Sequence, residues 1–79
     1  MPRSTTRTLG EPDDLARQVG RRVRALRKAR GLGEADIEAR LFNFKYLQRI
    51  EAGQVNLTLR TLERLAEILE TDVRTLLTD

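Results

Sequence analysis

The sequence holds no cysteine and no histidine. Their absence removes thiol or imidazole nucleophile–base pairs, Cys/His zinc sites and disulfide staples. A small domain without disulfides suits a reducing compartment, so the expected location is the cytoplasm. Aromatics are scarce: Phe42, Phe44 and Tyr46, with no tryptophan. No apolar run approaches the roughly 20 residues needed to span a bilayer, so no membrane partner is expected. The basic residues near the N-terminus are not followed by an apolar segment, so no secretory signal is expected either. At 79 residues the chain makes one small domain with a limited core and little room for a buried catalytic cavity. It offers no carboxylate pair in an identifiable cleft, no phosphate loop and no metal constellation. No enzymatic activity, cofactor or metal is therefore expected.

What is present is charge, and it is uneven. The formal net charge is only +3, but the sequence pI is about 10.2. Of the 15 basic residues only Lys28 and Lys45 are lysines. Arginine is the better residue for bidentate phosphate contact. Arg17, Arg21, Arg22, Arg24, Arg27, Lys28 and Arg30 crowd one short segment, while Asp and Glu are commoner further on. This asymmetry points to a polyanionic partner, nucleic acid first. A solubilising helix surface is the plainer alternative.

Residues 1–12 carry Ser, Thr, Gly and Pro without a period and read as a flexible arm. Arg3 and Arg7 in it have the chemistry to enter a DNA minor groove, although a disordered leftover is the simpler and favoured account. A helix should begin near Pro12–Asp14, where acidic residues complement the helix dipole. Leu15, Val19, Val23 and Leu26 form its buried stripe. Gly20 inside it costs about 1 kcal/mol relative to Ala, and a close helix–helix approach is one reason to accept that. Gly31 ends this helix. A short second helix runs from Glu34 to Arg40 or Leu41, with Ile37 and Leu41 as its apolar edge. After a third helix, Thr58 caps a fourth whose stripe is Leu59, Leu62, Leu65, Ala66 and Leu69. Asp72 caps a last short helix with Val73, Leu76 and Leu77 inward. Five helices, short connections and no strand pattern define an all-α bundle.

The third helix, within FNFKYLQRIEAG (Phe42 to Gly53), carries the functional signal. Asn43 is a good N-cap and Gly53 a good residue just past the C-terminus. The spacing puts Leu47 and Ile50 on one face, with Tyr46 at its edge. Phe44, Lys45 and Gln48 are expected on the other, with Arg49 beside them. Lys, Gln, Arg and an aromatic on one exposed face suit major-groove base edges and thymine methyls. An ordinary amphipathic helix with a solvated polar face fits the same spacing.

The run VGRRVRALRKARGL, an acidic helix, then FNFKYLQRIEAGQVNLTLRTLERLAEIL and DVRTLL resembles the helix-turn-helix domains of the lambda repressor/Cro type, the xenobiotic-response-element family of regulators. The resemblance covers about residues 15–77. Its most specific parts are the Ile50-Glu51-x-Gly53 helix ending and the Asn56-x-Thr58-Leu59-x-x-Leu62-x-x-Leu65-Ala66 run. It implies a compact five-helix domain over 13–79 and a repressor-like regulator of bacterial or phage type that binds double-stranded DNA as a homodimer. It also implies an Arg27–Glu51 structural ion pair. Asn43, Phe44, Lys45 and Gln48 match base-facing positions. Arg49, Asn56 and Arg60 match phosphate contacts, and Arg24 and Lys28 join them as the basic set expected on the same side. The dimer surface would use the last helices around Leu76 and Leu77, unless those leucines close the core.

Three features depart from the family pattern. Gly33 and Glu34 stand where a Ser or Thr cap and a phosphate-touching Gln are usual. Glu38 stands where a small Ala normally packs between helices. The segment from Gly33 to Glu51 is one residue short and lacks the turn glycine, so Leu41-Phe42-Asn43 must make the turn. Asn43 is the residue of the three best suited to the left-handed region, in competition with its capping role. Acidic helix 2 and an exposed Phe44 keep a second function open: a protein-interaction module of antitoxin or anti-repressor type, whose helix-turn-helix face binds a protein partner.

Overall fold

The computed structural model describes residues 13–78. The arm expected over 1–12, with Arg3 and Arg7, lies outside them. The described residues form five helices and no strand: α1 (Asp13–Ala29), α2 (Glu34–Ala39), α3 (Phe44–Glu51), α4 (Leu59–Leu69) and α5 (Val73–Leu77). α1 is the central element and packs against α3, α4 and α5, while α2 rests on α3. The core is the union of the inward stripes: Val19 and Val23 of α1, Ile37 of α2, Leu47 and Ile50 of α3, Leu62, Leu65, Ala66, Ile68 and Leu69 of α4, and Leu76 of α5.

Side-chain caps fall where expected. The Asn43 side chain accepts from Tyr46 N–H, Thr58 from Thr61 N–H and Asp72 from Thr75 N–H. Each satisfies one of the orphan donors of a first helical turn. The helices α1 to α4 each end on a residue in the left-handed region: Gly31, Leu41, Gly53 and Glu70. At each, two backbone N–H groups fold back onto the last turn. For α2 these are Leu41 N–H to the Glu38 carbonyl and Phe42 N–H to the Ile37 carbonyl. This double bond pattern satisfies carbonyls that the helix leaves open.

The turn between α2 and α3 corrects one expectation. Leu41, not Asn43, takes the positive φ, at 64°. Asn43 stays extended at φ −72° and keeps its capping role. The physical reason is position. The left-handed residue must follow the α2 C-cap so that the next N–H reaches back to Ile37, and Leu41 is the residue that stands there.

The stripes also end earlier than their periodicity suggests. Leu15 and Leu59 lie in the first turns of their helices and are exposed, at 57% and 65%. Leu76 closes the core completely, whereas Leu77, expected inward beside it, is 37% exposed.

Candidate nucleic-acid interface

α3 is held to α1 by an unusually close contact. Gly20 of α1 is buried, and a Cβ there would run into the backbone carbonyls of Ile50 and Glu51. The absence of a side chain is what lets the two helices meet at the end of α3. Two turns further along α1, the Arg27 guanidinium closes the same seam. Its Nε and second terminal nitrogen donate to the two Glu51 carboxylate oxygens at 2.6 and 3.1 Å. Its other terminal nitrogen donates to the Leu32 carbonyl at 2.9 Å. The side chains are only 11% and 3% exposed. The hydrogen bond to Glu51 and that residue's charge raise the Arg27 pKa above its ordinary value, against the opposing effect of burial. The pair is bidentate and structural.

The Arg27 guanidinium also lies over the Phe44 ring, 5.4 Å from its centroid. Phe44 is half-buried and packs against the core. This corrects the expectation of an exposed Phe44. It precedes Leu47 by three residues, and residues three apart are neighbours on a helix surface. That spacing was available in the sequence.

The outward face of α3 is left to Lys45, Gln48 and Arg49, all exposed. At about 100° per residue, Lys45 and Arg49 lie about 160° around the helix from buried Leu47, and Gln48 about 100°. Asn43 stands at the N-terminal edge of this face with its side chain committed to the cap. On α1, Arg24 lies about 40° around the helix from Gly20, and Lys28 about 40° beyond it. The edge of α1 that faces α3 therefore continues into these two cations. Arg60 is exposed in the first turn of α4. Asn56 lies in the loop before it and lines a groove with Leu15, Leu57 and Leu77, away from α3.

The arginines divide into two populations. Arg17 pairs with Asp14, Arg27 with Glu51 and Arg64 with Glu67. Arg40 donates to the Ile68 carbonyl, and Arg64 donates to the Arg40 carbonyl, both at 2.6 Å, tying the end of α2 to α4. None of these tertiary bonds was foreseen, because nothing in the local pattern announces a partner 24 or 28 positions away. By contrast, Arg24, Lys28, Lys45, Arg49 and Arg60 make no ion pair or side-chain hydrogen bond among the described residues. Arg21 and Arg74, also exposed, likewise make no ion pair among the described residues, so the five singled out from the sequence are among the unneutralised cations rather than all of them.

The acidic residues of α2 also have structural work. Asp36 accepts from Gly33 N–H at 2.9 Å and so caps its own helix. Glu38 reaches forward across the turn and accepts from Phe44 N–H, the first amide of α3, at 2.7 Å. The sequence marked Glu38 only as a misfit where a small residue packs. Its role as a cap six residues ahead follows from the shortened turn.

No helix among the described residues is long and apolar enough to cross a membrane. The family model of the helix-turn-helix domain matches residues 18–77, and the chain belongs to that family. It is a DNA-binding transcription regulator of the Cro/C1 type and not an enzyme. Among solved structures the chain is similar to the restriction-modification controller protein C.AhdI from Aeromonas hydrophila. The two are 31% identical over 77% of this chain and 94% of that one, with a TM-score of 0.69. No curated protein matches the sequence.

Proposed function

We propose that this regulator is a cytoplasmic, repressor-like homodimer that reads the major groove with the outward face of α3. The carrying observation is that five exposed cations without ion partners among the described residues, Arg24, Lys28, Lys45, Arg49 and Arg60, stand on α3, on the adjoining edge of α1 and at the start of α4. Arg24, Lys28, Arg49 and Arg60 grip phosphates, and counterion release gives a salt-dependent, sequence-independent affinity. Asn56, in the groove away from α3, is not one of this set. Lys45 bonds guanine O6 and N7, Gln48 pairs with adenine, and Asn43 and the open part of Phe44 complete the base-facing set. Homodimerisation places two α3 helices on half-sites about one helical turn apart, roughly 34 Å. The groove of about 170 Å³ lined by Leu15, Leu57, Leu62 and Leu77 is the apolar surface available for it.

A protein-docking role for the α3 face draws less support. Phe44 is half-buried under Arg27, and Asp36 and Glu38 are engaged as caps.

The test is fluorescence anisotropy on duplex DNA across a salt series, with Lys45→Ala and Arg49→Ala beside the parent. Log affinity should fall against log salt with a slope near −0.9 per phosphate neutralised. Arg49→Ala should flatten that slope by about 1, and Lys45→Ala should weaken binding to a selected site by about 1–3 kcal/mol. A folded, helical protein that binds no duplex at about 50 mM salt would sink the proposal.

A further inference from the structure

Among the described residues, Glu38 is the acidic side chain bonded to the N-terminal end of α3. One carboxylate oxygen accepts from Phe44 N–H at 2.7 Å. Glu38 is exposed and has no other partner among the described residues, so its second oxygen is open. The neighbouring Asn43 carbonyl-type oxygen is already taken by Tyr46 N–H at 2.8 Å. The first turn of α3 therefore carries a carboxylate anchored at Phe44 N–H, the residue next to Lys45.

In helix-turn-helix docking, the N-terminal residues of the recognition helix contact base edges. A carboxylate held there is repelled by phosphate, which lowers affinity for every sequence alike. It is compensated where a base edge offers a donor. In the major groove the fitting donor for a carboxylate is the N4 amino group of cytosine, whereas thymine presents an O4 acceptor at the equivalent place. The anchoring bond matters to this argument. A freely rotating Glu would swing away from the DNA, but one fixed through a backbone amide of α3 moves only with that helix.

We propose that Glu38, although it belongs to α2, is a specificity-determining residue of the DNA interface: its open carboxylate oxygen selects a cytosine N4 donor in each half-site and rejects thymine there. This rests on the major-groove reading above.

The experiment selects binding sites from random duplexes with the full chain and with Glu38→Gln. It then measures affinities for the parent site and for the same site with the assigned C·G pair changed to T·A. Glutamine keeps an acceptor for Phe44 N–H but can also donate to thymine O4. The expected result is that the parent prefers cytosine over thymine at that position by on the order of tenfold or more. Glu38→Gln should reduce that ratio to near one, with an unchanged salt slope and an unchanged far-UV spectrum. The C·G to T·A change is made on the DNA and is informative with the parent protein alone. A parent that selects a motif with no cytosine preference near the α3 N-terminus overturns the inference but leaves the groove reading intact. So does a Glu38→Gln protein that binds both sites more tightly by the same factor, which would reduce Glu38 to a repulsive charge. A parent that binds duplex but selects no motif at all overturns both.

Discussion

α3 is entered through Leu41 and left through Gly53, and both residues hold the left-handed backbone that closes the preceding helix, at φ 64° and 73°. The chemistry is the same, but the surroundings differ. Gly53 lies against Arg17 of α1, and a Cβ there would meet the Arg17 side chain and backbone. Leu41 is 86% exposed, with solvent where Gly53 has a neighbour. At Gly53 the dihedral and the packing both demand glycine. At Leu41 only the dihedral objects, at a cost of roughly 1–2 kcal/mol for a residue with a Cβ. That cost is offset locally. The Leu41 and Phe42 amides bond back to α2, Phe42 packs on the core, and Glu38 bridges to Phe44 N–H. A left-handed position at the surface is thus an energy that neighbouring contacts can outweigh, whereas one inside a helix contact is a steric limit.

The seam between α1 and α3 sets the largest expected effect. Glu51→Ala leaves the Arg27 guanidinium buried and unpaired, and should destabilise the domain by about 3–5 kcal/mol in urea denaturation. A loss below about 1 kcal/mol would mean that solvent reaches Arg27 and that the seam is no firmer than the α2–α3 turn.

The two left-handed positions should respond with opposite signs. Gly53→Ala should destabilise by more than about 2 kcal/mol, since strain and the clash with Arg17 act together. Leu41→Gly should stabilise by about 0.5–1 kcal/mol, because relief of strain exceeds the added freedom of the unfolded chain. Urea midpoints for the two variants decide the matter, and a shift of the same sign in both would break the comparison.

The smallest effect is at the far end of the molecule. Asp72 accepts from Thr75 N–H and Thr75 Oγ1, and these bonds hold its pKa below the ordinary carboxylate value. A depressed folded pKa means that the cap contributes fully above the unfolded value, near 3.9, and is lost as pH falls through the folded value. Thermal melts of the parent and Asp72→Asn should therefore differ at pH 5 and converge toward pH 2. Equal differences at both pH values would remove the charge from the account of this cap.

Helix placement was legible because it depends on neighbours in sequence. The caps Asn43, Thr58 and Asp72, the terminators Gly31 and Gly53, and the inward repeats of α1 and α4 all act within one or two turns. The pairing of Arg27 with Glu51 was legible only through the family resemblance, since the two are 24 positions apart. Phe44 was misplaced although its three-residue spacing from Leu47 was visible, because its position at the helix start was read as solvent-facing. Leu15 and Leu59 were misplaced for another reason: periodicity says which way a side chain points but not whether another helix reaches that far.

The sequence alone therefore determined an all-α chain of five helices, three of them capped by Asn43, Thr58 and Asp72, the excess of arginine on α1, and the cluster Lys45, Gln48 and Arg49 on one helix face. These follow from local propensity, spacing and composition. Only the tertiary structure decided which arginines are consumed by carboxylates and carbonyls and which remain free, that Leu41 rather than Asn43 bends the turn, and that Glu38 reaches Phe44. The first depends on distances between segments far apart in the chain, which exist only once the helices have packed; the other two depend on how the short α2–α3 turn sets its two helices against each other.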